Sequence, residues 1–440
     1  MSKYLIKQFL ILSPLVVLGA FQTEPGRLSA PEYPDTRFIV FSDPHYYNPE
    51  LGTEGKAFEE YLDNDRKLLK ESEEILQGTL DRIKKQTAEF VIIPGDLTKD
   101  GTLKSHQKFA EYLSEIEKMG KKVFVVPGNH DTSNPKSYSY RDSLKIKVEN
   151  VEPGKFKSIY GAFGYQEALY ADSFSLSYIV EPVDGIWLFA LDACRYDENY
   201  EINYPVTGGK FKVETLQWIQ NMLNHAVHMN KAVIGFMHHG VLEHYERQSK
   251  FFEDYVVQDF KKVSALFAAY GMRMVFTGHY HAQDITSAHY SDNSFIFDIE
   301  TGSLVTYPCP LRTVAIKNNT AEISSQFITD IPSNQKNFPD YARNFVWSGV
   351  EGIARETLIG FKLKEAEAEL LSGQVANAFV AHYTGDEQSP EKPFILDGVS
   401  LKGRFLIGFR KKLVWNLWND LPPADNEVLI DLSTGKVINP

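Results

Sequence analysis

Asp43 and His45 stand one residue apart in the stretch FSDPHYY (41–47), directly after the apolar run RFIV (37–40). A carboxylate and an imidazole at the tip of such a run can cap a turn, carry a proton or hold a metal. Four further stretches end apolar runs with similar groups. They are PGDLTKDG (94–101) with Asp96, PGNHD (127–131) with Asn129, His130 and Asp131, MHHG (237–240) with His238 and His239, and TGHYH (277–281) with His279 and His281. Six of the twelve histidines fall in these stretches, so the imidazoles gather where apolar runs stop. Imidazole, carboxylate and one carboxamide suit Zn, Mn or Fe in a hydrolytic site.

Taken singly, each stretch has a plainer reading. SDPH can be a capped turn with a hydrogen-bonded histidine, Asp96 a turn acid or helix N-cap, and GNHD a tight turn with Asn129 left-handed. His238 and His239 can be one core and one surface histidine. GHYH says more, because alternate residues of an extended chain face the same way and let His279 and His281 grip one ion.

The elements that must bring these tips together alternate between strand and helix. RFIVFSD (37–43), EFVIIPGD (89–96) and KKVFVVPGNHD (121–131) read as strands. Between them, the apolar spacing predicts amphipathic helices over 64–87 and 103–120. Further strands are expected at FSLSYIV, GIWLFALDA, KAVIGFMHH and MRMVFTGHYH, with a helix over 213–228, and residues 285–328 read as antiparallel strands joined by turns at Asp292-Asn293 and Asn318-Asn319. This alternation predicts a layered α/β fold, in which ligands gather beyond the carboxyl ends of the strands. After Ile331-Pro332 the pattern turns helical, and residues 331–440 are expected to form a smaller, mainly helical domain of unknown role.

The 440 residues carry a formal net charge of −12, a poor balance for coating nucleic acid through its phosphates. A small anionic substrate is still compatible, because a bound metal inverts the sign of a local site. At the N-terminus, Lys3 and Lys7 precede the apolar stretch 9–21, which is short for a membrane span. We therefore expect residues 1–22 to be a signal peptide and 23–36 a linker, with export to the periplasm, the cell surface or the medium; an uncleaved anchor is the alternative. The remaining chain has no second long apolar run, so no integral membrane domain is expected. Cys194 and Cys309 can either pair or stand as two buried thiols.

The ordered set D-x-H, G-D, G-N-H-D, H and G-H-x-H over residues 38–281 resembles the calcineurin-like metallophosphoesterase superfamily. That resemblance implies a four-layer αββα sandwich and a phosphoesterase with two divalent or trivalent metal ions (Mn, Fe or Zn). By position it implies Asp43, His45 and His281 on one metal, Asn129, His238 and His279 on the other, and Asp96 bridging. A metal-bridging hydroxide would attack phosphorus, with His130 as general acid. Asp131 can orient His130 or cap a helix, and Asn129, His130 and His239 are expected to touch the phosphoester.

Two departures narrow the group. Lys99 stands three residues after Asp96, where purple acid phosphatases carry a tyrosine, and GDLTKDG lacks the arginine of protein Ser/Thr phosphatases. GDLTKDG with PGNHD looks most like the class III cyclic nucleotide phosphodiesterases and their extracellular relatives, which implies phosphodiester hydrolysis. An exported protein rarely meets cyclic nucleotides, so a non-cyclic nucleotide or phospholipid-headgroup diesterase is the alternative. A non-catalytic surface binding protein is a remote one. Tyr46, Tyr47 and Tyr280 can stack on a substrate ring or pack at the strand tips, and Asp192 and Arg195 can line the mouth.

Overall fold

The period-two alternation of the central strands determines the layering. In β8 (Ile186–Leu191), Ile186, Leu188 and Ala190 point into one buried cluster, while Trp187, Phe189 and Leu191 point into another. The same division recurs in β9 (Ala232–Met237), where Ile234 and Phe236 face one way and Val233 and Met237 the other. A strand apolar on both faces needs cover on both, and here one face takes a second sheet and the other takes helices.

The computed structural model describes residues 31–63 and 65–438, so the expected signal peptide and most of the expected linker lie outside the described residues. The other strands are β1 (Thr36–Val40), β2 (Phe90–Ile93), β3 (Lys122–Val125), β4 (Tyr138–Arg141), β5 (Leu144–Lys147), β6 (Tyr170–Ala171), β7 (Tyr178–Val183), β10 (Met272–Thr277), β11 (Asp284–His289), β12 (Phe295–Glu300), β13 (Pro310–Lys317), β14 (Thr320–Phe327), β15 (Glu427–Asp431) and β16 (Lys436–Ile438). Two seven-stranded sheets result, in the orders β16-β15-β14-β13-β1-β2-β3 and β11-β12-β10-β9-β8-β7-β6, with β4 and β5 a separate hairpin. Phe38 of the first sheet meets Phe276 of the second edge to face at 5.3 Å, inside the shared core. Helices Ser72–Lys85 and Leu103–Lys118 cover the first sheet through Leu76, Ile83, Phe109 and Leu113. Helices Val213–His228 and Phe260–Ala269 cover the second through Ile219, Leu223, Val263 and Phe267. The expected four-layer sandwich is therefore the observed fold.

β1, β2 and β3 run parallel, as do β8, β9, β10 and β12. Their carboxyl ends deliver the five stretches.

Several local expectations shift. The helix expected over 64–87 starts only at Ser72, because the Asp65 carboxylate accepts from the N–H groups of Arg66 and Lys67 and holds a turn there. The block 285–328 is not one antiparallel run: β11–β12 and β13–β14 are hairpins in different sheets, and β12 lies parallel to β10. The stretch 331–440 starts helical, with Phe338–Gly360 packed on Glu365–Thr384, but it ends as sheet, β15 pairing with β14 and β16 with β15. Cys194 and Cys309 are free buried thiols. Among the described residues, no helix is long and apolar enough to cross a membrane.

Candidate metal centre and active site

The tips following β1 and β2 are fastened to each other. The N–H groups of Asp43, His45 and Tyr46 donate to the carbonyls of Gly95, Asp96 and Leu97. Five of the seven expected ligands sit in the left-handed region: Asp43 (φ 49°), His45 (37°), Asp96 (47°), His279 (79°) and His281 (71°). L-residues adopt this conformation at a cost of about 1–3 kcal/mol each, and such strain clusters at functional sites. The surrounding sheet holds all five carboxylates and imidazoles in place against that cost.

The ligands then converge. His45 Nε2 lies 3.8 Å from Asp43 Oδ1 and 3.5 Å from Asp96 Oδ2, His281 Nε2 lies 3.4 Å from Asp43 Oδ1, and His238 Nε2 lies 3.4 Å from Asp96 Oδ2. Asn129 Oδ1 is 3.1 Å from His238 Nε2. Two ligands about 2.1 Å from a shared ion at a tetrahedral angle stand about 3.4 Å apart, so these are the edges of coordination polyhedra. Asp43 Oδ1 is buried with no hydrogen-bond partner, a deficit that a cation there would remove. Asp43–His45–His281 and Asp96–His238–His279 each close to within one ion's reach. The residues fit two metal ions.

Other groups fix the rings. His238 Nδ1 donates to the Pro94 carbonyl (3.0 Å), which turns Nε2 toward Asp96. His279 Nε2 donates to the Asp254 carbonyl (3.2 Å), which leaves Nδ1 as its ligating atom. Such outer partners set the tautomer of a ligating histidine. Burial lowers the pKa values of His45, His279 and His281, keeping them in the neutral form that binds metal. His238 goes the other way, to about 9: burial opposes the charge, but Asp96 and Asp43 outweigh it. Burial also opposes the Asp96 charge, yet His238, His130 and His45 hold its carboxyl well below the usual range. Carboxylates here attract positive charge, as a cation site must.

His130 is 22% exposed and lines the adjoining cavity, its backbone N–H donating to Asp96 Oδ1 (2.9 Å). Its ring is oriented by Asp100, whose Oδ1 lies 2.9 Å from Nδ1, and not by Asp131. Burial disfavours the imidazolium, but Asp96 and Asp100 raise the His130 pKa above its ordinary value. Asp131 instead accepts from the N–H groups of Leu97, Thr98 and Gly128 and from the Thr98 hydroxyl, clasping two of the loops together. Asp100 was within sight in GDLTKDG, though nothing in the spacing marks it out. Its φ of 54° curls the loop back over PGNHD.

His239 is likewise not a substrate contact. It is fully buried, its Nε2 donates to the Thr207 carbonyl (2.9 Å), and its ring packs against Gly209, where an added Cβ would come within 2.5 Å. Tyr46, Tyr47 and Tyr280 are buried packing residues. Asp192 binds the N–H groups of Leu176 and Cys194 and the Tyr196 hydroxyl, while Arg195 pairs with Glu198; neither lines the cavity.

The cavity itself measures about 740 Å³ and exposes His45, Asp96, Asn129, His130, His279 and His281. Around them stand the cations Arg66, Lys67, Lys136 and Lys145 and the rings of Tyr61, Tyr138, Tyr204 and Tyr255. These residues come from loops, from β4–β5 and from the short helices Lys56–Leu62 and Glu253–Tyr255, and carry no motif.

The family model for calcineurin-like phosphoesterase matches residues 36–283. No match is found among curated proteins. Similar solved structures include a dimetal phosphatase from Danio rerio (13% identity, TM-score 0.47, covering 67% of this chain and 97% of that one). Another is the purple acid phosphatase PPD1 from yellow lupin (10% identity, TM-score 0.39, 70% and 54%). A third is the NAD nucleotidase of Haemophilus influenzae (13% identity, TM-score 0.33, 68% and 50%).

Proposed function

The chain belongs to the calcineurin-like phosphoesterase family, and from that premise we propose that it hydrolyses phosphodiesters at a centre of two metal ions. The observation that carries this reading is the convergence of seven donors from five strand tips, with a buried Asp43 oxygen left unpaired. Asp43, His45 and His281 would hold one ion, Asn129, His238 and His279 the other, and Asp96 would serve both. When bound, the ions supply Lewis acidity toward the phosphoryl oxygens and lower the pKa of water to near neutrality.

The protein's own groups do the rest. Arg66, Lys67, Lys136 and Lys145 draw an anionic ester into the cavity and offset the charge of the carboxylates. His130, with Nδ1 held by Asp100, has Nε2 free to give a proton to the departing alkoxide. Asp96 and Asp100 raise its pKa, which favours the protonated form that a general acid needs. Asn129 contributes a neutral oxygen and so adds no negative charge beside the phosphate.

The diester reading rests on room and lining: 740 Å³ exceeds what a bare phosphate fills, and four tyrosines among the lining residues suit a second substituent larger than the phosphate itself. The lysine-led apolar N-terminus supports export; fractionation of cells expressing the full chain tests it.

Hydrolysis of bis-p-nitrophenyl phosphate and of p-nitrophenyl phosphate, with Mn, Zn or Fe and with chelator, tests the activity. Metal-dependent turnover that favours the diester is expected. Preference for the monoester would refute the diester reading, and no turnover of either ester with any metal would refute the enzyme.

A further inference from the structure

A second cluster of acids and imidazoles lies where the C-terminal segment meets β11. Asp284 opens β11, His382 is in the last turn of helix Glu365–Thr384, and Glu387 follows just after Gly385. Candidate ligand atoms of these three residues lie within 4.8 Å of one another. His382 Nδ1 stands 3.8 Å from Asp284 Oδ2 and in close contact with Glu387 Oε1. The side chains of Asp284 and Glu387 are each 1% exposed, yet Asp284 Oδ2 and Glu387 Oε2 have no hydrogen-bond partner. Asp420 brings a further unpartnered buried oxygen, Oδ1.

The neighbouring groups show what the unpaired oxygens lack. Asp425, equally buried, has both oxygens occupied, by the N–H groups of Ile285 (2.8 Å) and Asp386 (2.7 Å). Asp284 Oδ1 is taken by His244 Nδ1 at 2.7 Å, which fixes the carboxylate and leaves only Oδ2 directed at His382. Arg312 turns its guanidinium to the carbonyls of Asp425 and Glu300 and to the Ser325 hydroxyl, so it does not reach the unpaired oxygens. An ion pair between His382 and Glu387 satisfies one oxygen of Glu387 and leaves the other, and Asp284 Oδ2, unmet. Leaving such groups desolvated and unpaired is costly, and a cation is the economical partner for several at once.

We propose that Asp284, His382 and Glu387, with Asp420 beside them, form a third metal site, separate from the catalytic centre, that takes a divalent transition ion of the zinc class. One imidazole with carboxylates is ordinary zinc chemistry, whereas calcium prefers six to eight oxygens. The site joins residues about a hundred positions apart. It clamps the end of the second long C-terminal helix to the strand that follows the GHYH loop. Because its ligands meet only in the folded chain, binding of the ion adds to folding stability. None of Asp284, His382 and Glu387 lines the large cavity, so the role is structural.

The test uses the full chain, stripped of metal and reloaded with Zn²⁺, with bound metal counted by elemental analysis. His382→Gln and Glu387→Gln should each bind about one ion fewer than the parent and show a smaller rise in Tm on adding Zn²⁺. Turnover of the diester should persist. Conversely, Asp96→Asn, which disrupts the catalytic centre, should keep one tightly bound ion, and Co²⁺ in its place should give the absorption of a site with mixed nitrogen and oxygen ligands. That second arm decides the matter if the first two variants fail to fold. Unchanged stoichiometry in His382→Gln and Glu387→Gln, or loss of all bound metal in Asp96→Asn, would overturn the proposal. The arms are read by metal content, so they stand apart from whether the catalytic centre turns over diesters.

Discussion

Two buried clusters of carboxylates and imidazoles lie three residues apart along the chain, one ending at His281 and the other beginning at Asp284. Their chemistry is nearly the same: both pair aspartates with histidines, and both leave buried oxygens without partners. They differ in access and in surroundings. The first opens into a cavity edged by His130, lysines and tyrosines, and most of its ligands sit in left-handed backbone. The second is closed away from that cavity, and its members lie on a strand, a helix end and a loop of ordinary packing. Ligand type by itself therefore does not separate a reactive centre from a clamp. Solvent access and a neighbouring proton donor do.

Substitutions should divide the clusters by readout. The largest effect is expected from Asp96→Asn, which removes the carboxylate proposed to serve both ions; loss of several kcal/mol of charge stabilisation corresponds to a fall of about 10³-fold or more in kcat. Steady-state kinetics at saturating metal would show it, and a fall below about tenfold would place the shared position elsewhere. Next comes His130→Gln, expected to cost about 10²–10⁴-fold in kcat with metal content unchanged.

Asp100→Asn sharpens the same point through pH. The Asp100 charge helps raise the His130 pKa, and a general acid works only while protonated. Activity should thus fall as pH rises through that pKa, and the fall should move to lower pH in Asp100→Asn. An unmoved alkaline limb in the kcat profile would mean that Asp100 does not tune His130. Asp131→Asn should behave differently, since an amide cannot accept from all four donors; it should lower stability by about 1–3 kcal/mol in urea unfolding.

Smallest is Tyr280→Phe, which removes the 3.0 Å hydroxyl contact with Tyr245 behind the GHYH loop. It should cost about 0.5–1.5 kcal/mol of stability and leave turnover alone. A marked loss of activity there would blur the line between the two clusters.

The sequence carried the front cluster far better than the rear. Asp43, Asp96, Asn129, His238, His279 and His281 each follow an apolar strand of a parallel set, and parallel neighbours send their strand ends to one place. The four layers followed from the same alternation. Asp100 was missed because it becomes a partner of His130 only through the left-handed turn at its own backbone. Asp131, adjacent to His130 in sequence, was the nearer guess, but its side chain is drawn away by four donors. The rear cluster has no local pattern at all: Asp284 and His382 meet because helix Glu365–Thr384 packs onto Tyr245 and Tyr280 through Phe379 and Tyr383. β15 was hidden for a similar reason, since the edge of β14 that it pairs with lies about a hundred residues earlier, and β16 joins the sheet only through β15. Pairings of that span leave no trace in periodicity.

The most direct test of the central claim is a metal titration of the stripped Glu387→Gln variant, which isolates the front cluster, followed by turnover of bis-p-nitrophenyl phosphate. Activity should be absent without metal and rise to its plateau at about two equivalents. A plateau at one equivalent, or full turnover in the stripped protein, would contradict a two-metal centre built on Asp43, His45, Asp96, Asn129, His238, His279 and His281.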